Sequence, residues 1–190
     1  MSLDSELENL RVNALRNALY HTDRRKSLEW WNRAFNFAVV VLGAAAVGDV
    51  LTRFGITQST TGVAIAVVAA AQLVFDFGRQ ARDHQGLQRD YYNVLSEIEE
   101  CIAPDDQKCA SWRARMTKIA GEEPPVLRAL DAKAYNAALD ALDTFPAGER
   151  LYLPFWHLLV GWFYSFPGHH YEKLSERRGW KPPVEALPAE

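Results

Sequence analysis

Charge is distributed very unevenly along this chain. The run AFNFAVVVLGAAAVGDVLT, from Ala34 to Thr52, has a single charge, Asp49, and Phe54 to Phe75 has none. A helix crosses the hydrocarbon core of a bilayer with roughly 20 mostly apolar residues. Two such stretches, separated by Arg53 and a short polar turn at Gln58–Gly62, predict a transmembrane helical hairpin over residues 34–77. The second stretch is the shorter. Its strongly apolar part, Val63 to Phe77, covers about 22 Å at a helical rise of 1.5 Å per residue. Tilt, local thinning of the bilayer, or inclusion of Ile56 to Gly62 supplies the rest.

On either side the pattern becomes amphipathic. Leu3, Leu7, Leu10 and Ala14 repeat at helical spacing, which predicts one N-terminal helix over residues 1–33. Acidic residues open it, where the helix dipole favours them. Beyond the second stretch, Leu87, Tyr91, Val94, Ile98 and Cys101 keep a 4-3-4-3 rhythm. This predicts a helix that continues unbroken out of the second span and stops near Pro104. Its apolar face needs a cover, and the N-terminal helix is the nearest candidate. Together they make a cytoplasmic stalk. Shorter helices follow around Trp112–Ile119 and over 126–143, completing a helical extension at 78–145. The chain is thus read as all-α: a transmembrane helical hairpin continuing into a cytoplasmic helical stalk or bundle.

The segment 146–180 stands apart. LYLPFWHLLVGWFYSFPG is uncharged and strongly aromatic, and the stretch between Pro154 and Pro167 is too short to span. Two readings stay open: a helix lying in the membrane interface, or a buried helix capping the soluble bundle. Lys173, Arg177, Arg178 and Lys181 follow, suited to anionic headgroups. Residues 181–190 read as a loose tail.

Basic residues set the orientation. Arg24, Arg25, Lys26 and Arg33 precede the first span, Arg79, Arg82 and Arg89 follow the second, and the turn between holds Arg53 alone. Positive residues favour the cytoplasmic side, so both termini are expected inside and the location is the plasma membrane. Trp30, Trp31, Arg33 and Arg79 fall where interfacial anchors belong. The N-terminus opens with Asp4, Glu6 and Glu8, unlike a secretory signal, and the run at 34 is expected to remain as an internal anchor. The mean hydropathy of −0.21 keeps the membrane part small. A net charge of −3 without a basic stripe argues against nucleic acid. Cys101 and Cys109 match neither a redox nor a zinc spacing.

The run HTDRR…WWNRAFNFAVVVLGAAAVGDVL, then VAAAQLVFDFGRQARDHQGLQRDYYNVLSEIE, then EEPPVLRALDAKAYNAAL, resembles the SLATT family over about residues 20–142. Members are bacterial two-transmembrane proteins with a cytoplasmic helical extension. The resemblance implies a membrane effector of bacterial conflict systems that assembles into a pore and permeabilises the inner membrane. The chain departs from that pattern in one respect: no attached nucleotide-sensing or enzymatic domain is recognisable, so the trigger is expected to be a separate sensor or nucleotide-signalling protein, or a ligand site within this chain.

The residues that would carry such a function are few. Asn36, Asp49, Gln72 and Asp76 interrupt the spans. Polar groups in lipid turn toward a helix partner or a water path. Gln72 and Asp76 are four apart, and Arg79 and Asp83 extend the same stripe; they line a pathway, or Asp49 and Asp76 meet water at the interfaces while Gln72 bonds a neighbouring helix. Gly43 and Gly48 in the first span, and Gly62, Ala66 and Ala70 in the second, suit close helix approach, within the hairpin or between copies. One hairpin encloses no water path, so conduction requires a homo-oligomer.

An enzyme is not expected. His169-His170 lacks helical zinc spacing, and His21, His84 and His157 lack companions. No phosphate loop or nucleophile turn is present, and no cofactor is implied. The rival readings are a membrane-anchored structural or adaptor protein with a cytoplasmic docking domain, and a soluble helical bundle.

Overall fold

The computed structural model describes residues 3–47, 51–143 and 145–181. The chain is all-helical, with no strand among these residues. Helix α1 runs from Leu3 to Val47, α2 from Gln58 to Phe75, α3 from Phe77 to Glu100, α4 from Asp106 to Ala120, α5 from Arg128 to Leu142, and α6 from Phe155 to Val160. They form two compact units, Met1–Asp23 with Gly86–Glu190, and Arg24–Gln85.

The larger unit is a helical bundle. Leu10, Ala14 and Ala18 of α1 are buried with Leu87, Tyr91, Val94 and Ile98 of α3. The 4-3-4-3 face of α3 is therefore covered by α1, and also by α4, which adds Cys109, Trp112, Met116 and Ile119. Asp105 starts α4 by accepting from the Lys108 N–H at 2.7 Å, which satisfies a donor the helix cannot. The α3 helix ends at Glu100, a turn before Pro104. Burial pushes the Cys109 thiol up, and nearby Asp106 and Asp105 add to the rise. Cys109 is thus a core residue.

Helix α5 closes the bundle. Leu130 and Ala134 pack on Tyr20, and the Tyr20 hydroxyl accepts from the Leu127 N–H at 3.1 Å. Asn136 holds the next segment: its amide donates to the Leu151 carbonyl at 2.8 Å and accepts from the Leu151 N–H at 2.7 Å. One side chain thereby replaces a strand neighbour for Leu151, whose other pairing is an isolated antiparallel bridge to Lys173.

In the smaller unit the connection between the apolar helices differs from the predicted polar turn. Leu51–Phe54 form a 3-10 turn, and Gly55 takes a positive φ of 79°, a conformation open to glycine. Thr57 caps α2 by accepting from the Thr60 N–H. Gln58–Gly62 are therefore the first turns of the helix itself.

Candidate functional site

The second apolar stretch forms the one helical run among the described residues, Gln58–Glu100, long and apolar enough to cross a membrane. Its apolar part is α2. Thr61 is the only buried residue of α2, while Leu73 and Val74 are 82% and 78% exposed. The apolar end of α1 is similarly bare, with Phe37, Val40 and Val41 exposed and Val47 at 91%. Water-soluble monomers rarely present contiguous apolar surface on this scale. The described part of α1 does not by itself meet the same length and composition requirement. Gly48, Asp49 and Val50 lie outside the described residues.

Asn36 and Gln72 meet. Gln72 Nε2 donates to Asn36 Oδ1 at 2.7 Å, linking α1 to α2. Ala64, Ile65, Val68, Ala71 and Gln72 are half-buried and share this face of the helix. Gly62, Ala66 and Ala70 stand on the exposed side. A Cβ added at Gly62 or Gly43 would meet nothing within 4 Å. Gly62, Ala66 and Ala70 therefore do not pack against another helix of the same chain.

Asp76 departs from the predicted continuous helix. It adopts the left-handed conformation, φ 38° and ψ 54°, and ends α2. Its N–H donates to the Gln72 carbonyl at 3.0 Å, and its carbonyl accepts from the Arg79 and Gln80 N–H groups at 3.1 Å. Its carboxylate also accepts from the Arg79 N–H at 3.2 Å. One residue thus terminates α2 and caps α3. Gln80 assists by donating to the Phe75 carbonyl at 2.6 Å. Apolar spacing contained no breaker at this position; the only sequence cue was an Asp, which tolerates the left-handed region better than most residues. The Gln72–Asp76–Arg79–Asp83 stripe is broken there, although Arg79 and Asp83 lie within 3.9 Å of each other on α3.

Around this break the aromatic residues gather. Trp31 stacks on Phe77 at 6.5 Å, Phe35 lies 5.3 Å from Phe77, and Phe75 stacks on it at 5.5 Å. Trp30 contacts Trp31 edge-on and is itself exposed. Arg33 and Arg79 also extend outward, Arg33 toward Glu29 at 3.9 Å. An aromatic and arginine collar at the end of an apolar helix matches the chemistry of a bilayer interface.

In the bundle, a buried polar cluster escaped the sequence reading. His21 is fully buried, its Nε2 3.2 Å from Glu123 Oε1. The Tyr91 hydroxyl donates to the same oxygen at 2.5 Å, and its ring stacks on His21. Burial, then the bond to Glu123, raises the Tyr91 pKa far above its ordinary value. Nearby Arg16 holds Asp131 with two hydrogen bonds, the Nε one at 2.7 Å. Glu123 belongs to the EEPP turn, so that turn is tied into α1 and α3 by its carboxylate. Among the described residues no group of His, Cys, Asp or Glu stands ready to hold a metal ion.

Compared with known proteins, the chain matches no family model, no curated protein and no solved structure.

Proposed function

We propose that this chain is a bacterial inner-membrane effector of the SLATT type, in which α1 and α2 insert as a hairpin and several copies assemble into a pore. The bare apolar surface of α2, ending in the Trp31–Phe35–Phe77 collar, carries the membrane part of this reading. It also weighs against the soluble bundle, in which those side chains would lie in a core. Assembly is supported by the outward position of Gly62, Ala66 and Ala70, because lipid gives no hydrophobic push and close approach needs small side chains. The bundle, in the cytoplasm with both termini, receives the signal from a separate sensor or nucleotide-signalling protein.

The anchor reading is favoured by one observation. Gln72 Nε2 donates to Asn36 Oδ1 within one chain, which uses part of the polar surface that would line a path. The two readings separate on the mass of the complex in mild detergent and on conductance in planar bilayers. A multimer that conducts on triggering, and that dissociates in Ala66→Leu while remaining folded, supports the pore. A monomer, or silent membranes despite verified insertion and triggering, overturns it.

A further inference from the structure

The aromatic segment after α5 is held by a small part of its surface. Leu151, Leu153 and Phe166 pack on Ala129, Ala132 and Tyr171, and Trp162 packs on Tyr20, Leu130 and Ala134. Gly161 allows the approach to α5: a Cβ there would lie 2.7 Å from that of Ala129. His157, the one polar side chain of α6, is turned inward. Its Nδ1 shares a hydrogen bond with the Tyr171 hydroxyl at 2.8 Å, and its ring stacks on Phe166 at 3.9 Å. Burial, then neighbouring His169, lowers its pKa, which favours the neutral ring.

What remains faces out. Helix α6 has six residues, not the eleven or so that its flanking prolines allow, and none is buried. Trp156 is 72% exposed, Phe163 67% and Phe155 66%, with Leu159, Val160 and Tyr164 also exposed. This excludes a buried cap for α6 itself. No Asp, Glu, Lys or Arg occurs from Leu151 to Tyr171. Cations follow the patch in sequence: Arg177 sits 3.4 Å from the Tyr152 ring centroid, and residues 172–181 contain Lys173, Arg177, Arg178 and Lys181 against Glu172 and Glu176, with Lys173 already paired to Glu149.

The geometry points to a second lipid-binding element, in which Phe155, Trp156, Leu159 and Phe163 enter the headgroup boundary of an anionic bilayer while Arg177, Arg178 and Lys181 meet its phosphates. Aromatic side chains on an uncharged face, followed in sequence by cations, are the chemistry that an interface selects. The inference rests on the membrane reading for proximity: a unit already tethered to the bilayer needs little affinity of its own.

The test uses the full chain in vesicles of phosphatidylcholine, with or without phosphatidylglycerol. An environment-sensitive fluorophore is attached at Leu159→Cys in a Cys101→Ser background, since Cys109 is buried. Val67→Cys in α2 and Glu100→Cys serve as controls. The expected result at 159 is a blue shift, quenching by doxyl-labelled lipid and protection from iodide, all stronger with phosphatidylglycerol. Arg178→Glu with Lys181→Glu reduces that gain. Free access of iodide at 159 overturns the proposal. So does a site protected from iodide yet insensitive to doxyl lipid, which identifies a second copy or another protein as the cover. A signal indifferent to phosphatidylglycerol overturns the anionic assignment. Lipid quenching at 159 without quenching at 67 leaves this proposal standing and removes the hairpin; the reverse pattern removes only this proposal.

Discussion

Replacing Glu123 by Ala tests whether the EEPP turn is a structural clamp. The Glu123 carboxylate accepts from the Tyr91 hydroxyl at 2.5 Å and stands 3.2 Å from His21 Nε2. Both partners are fully buried, so neither regains water when the carboxylate goes. A hydrogen bond to a charged group contributes about 1.5–3 kcal/mol, and a stranded buried donor costs about 1–3 kcal/mol. These figures overlap, because the stranded donor is the reason the bond is costly to lose, and together they give about 3 kcal/mol for Glu123→Ala. Glu123→Gln retains an acceptor and loses the charge, so about half that effect is expected. With a urea dependence of about 1–3 kcal/mol per molar, the midpoint for Ala falls by about 1–3 M. Urea unfolding in detergent micelles, followed by near-ultraviolet circular dichroism, reads it. The double variant with Tyr91→Phe should cost less than the sum of the two singles. A Glu123→Ala midpoint within experimental scatter of wild type, or strict additivity, would refute the clamp.

Tyr91 keeps its proton in the folded state where the unfolded chain releases it. Its contribution is therefore intact below about pH 10 and is lost as pH rises above that, so alkaline unfolding should be delayed in Tyr91→Phe relative to its own neutral stability. Asn136→Ala removes both hydrogen bonds to Leu151; a loss of about 1–3 kcal/mol is expected, with faster amide exchange at Leu151 and its neighbours while α3 and α4 stay protected. Gln72→Leu removes the hydrogen bond to Asn36; under the proposed hairpin insertion a cost of about 0.6–2 kcal/mol is expected, as for a bond between helices in lipid, read by denaturation in micelles.

Local pattern contained the parts that depend on near neighbours. The 3.6-residue period placed the buried face Leu87, Tyr91, Val94 and Ile98, and continuous apolar composition located the helix able to cross a membrane. The end of α3 at Glu100 fell a turn before Pro104, because breakers act within a turn. Other features needed the folded chain. His21 looked isolated because its partner, Glu123, is about a hundred positions away, and no spacing rule reaches that far. Gly62, Ala66 and Ala70 share a face in any helix, but only the folded chain, with Gln72 bonded to Asn36 and Ala64, Ile65, Val68 and Ala71 half-buried beside it, leaves those three exposed. The same holds for α6, whose aromatic run suits a core or an interface equally. Periodicity defines which residues lie together on a surface; what covers that surface is set by tertiary packing.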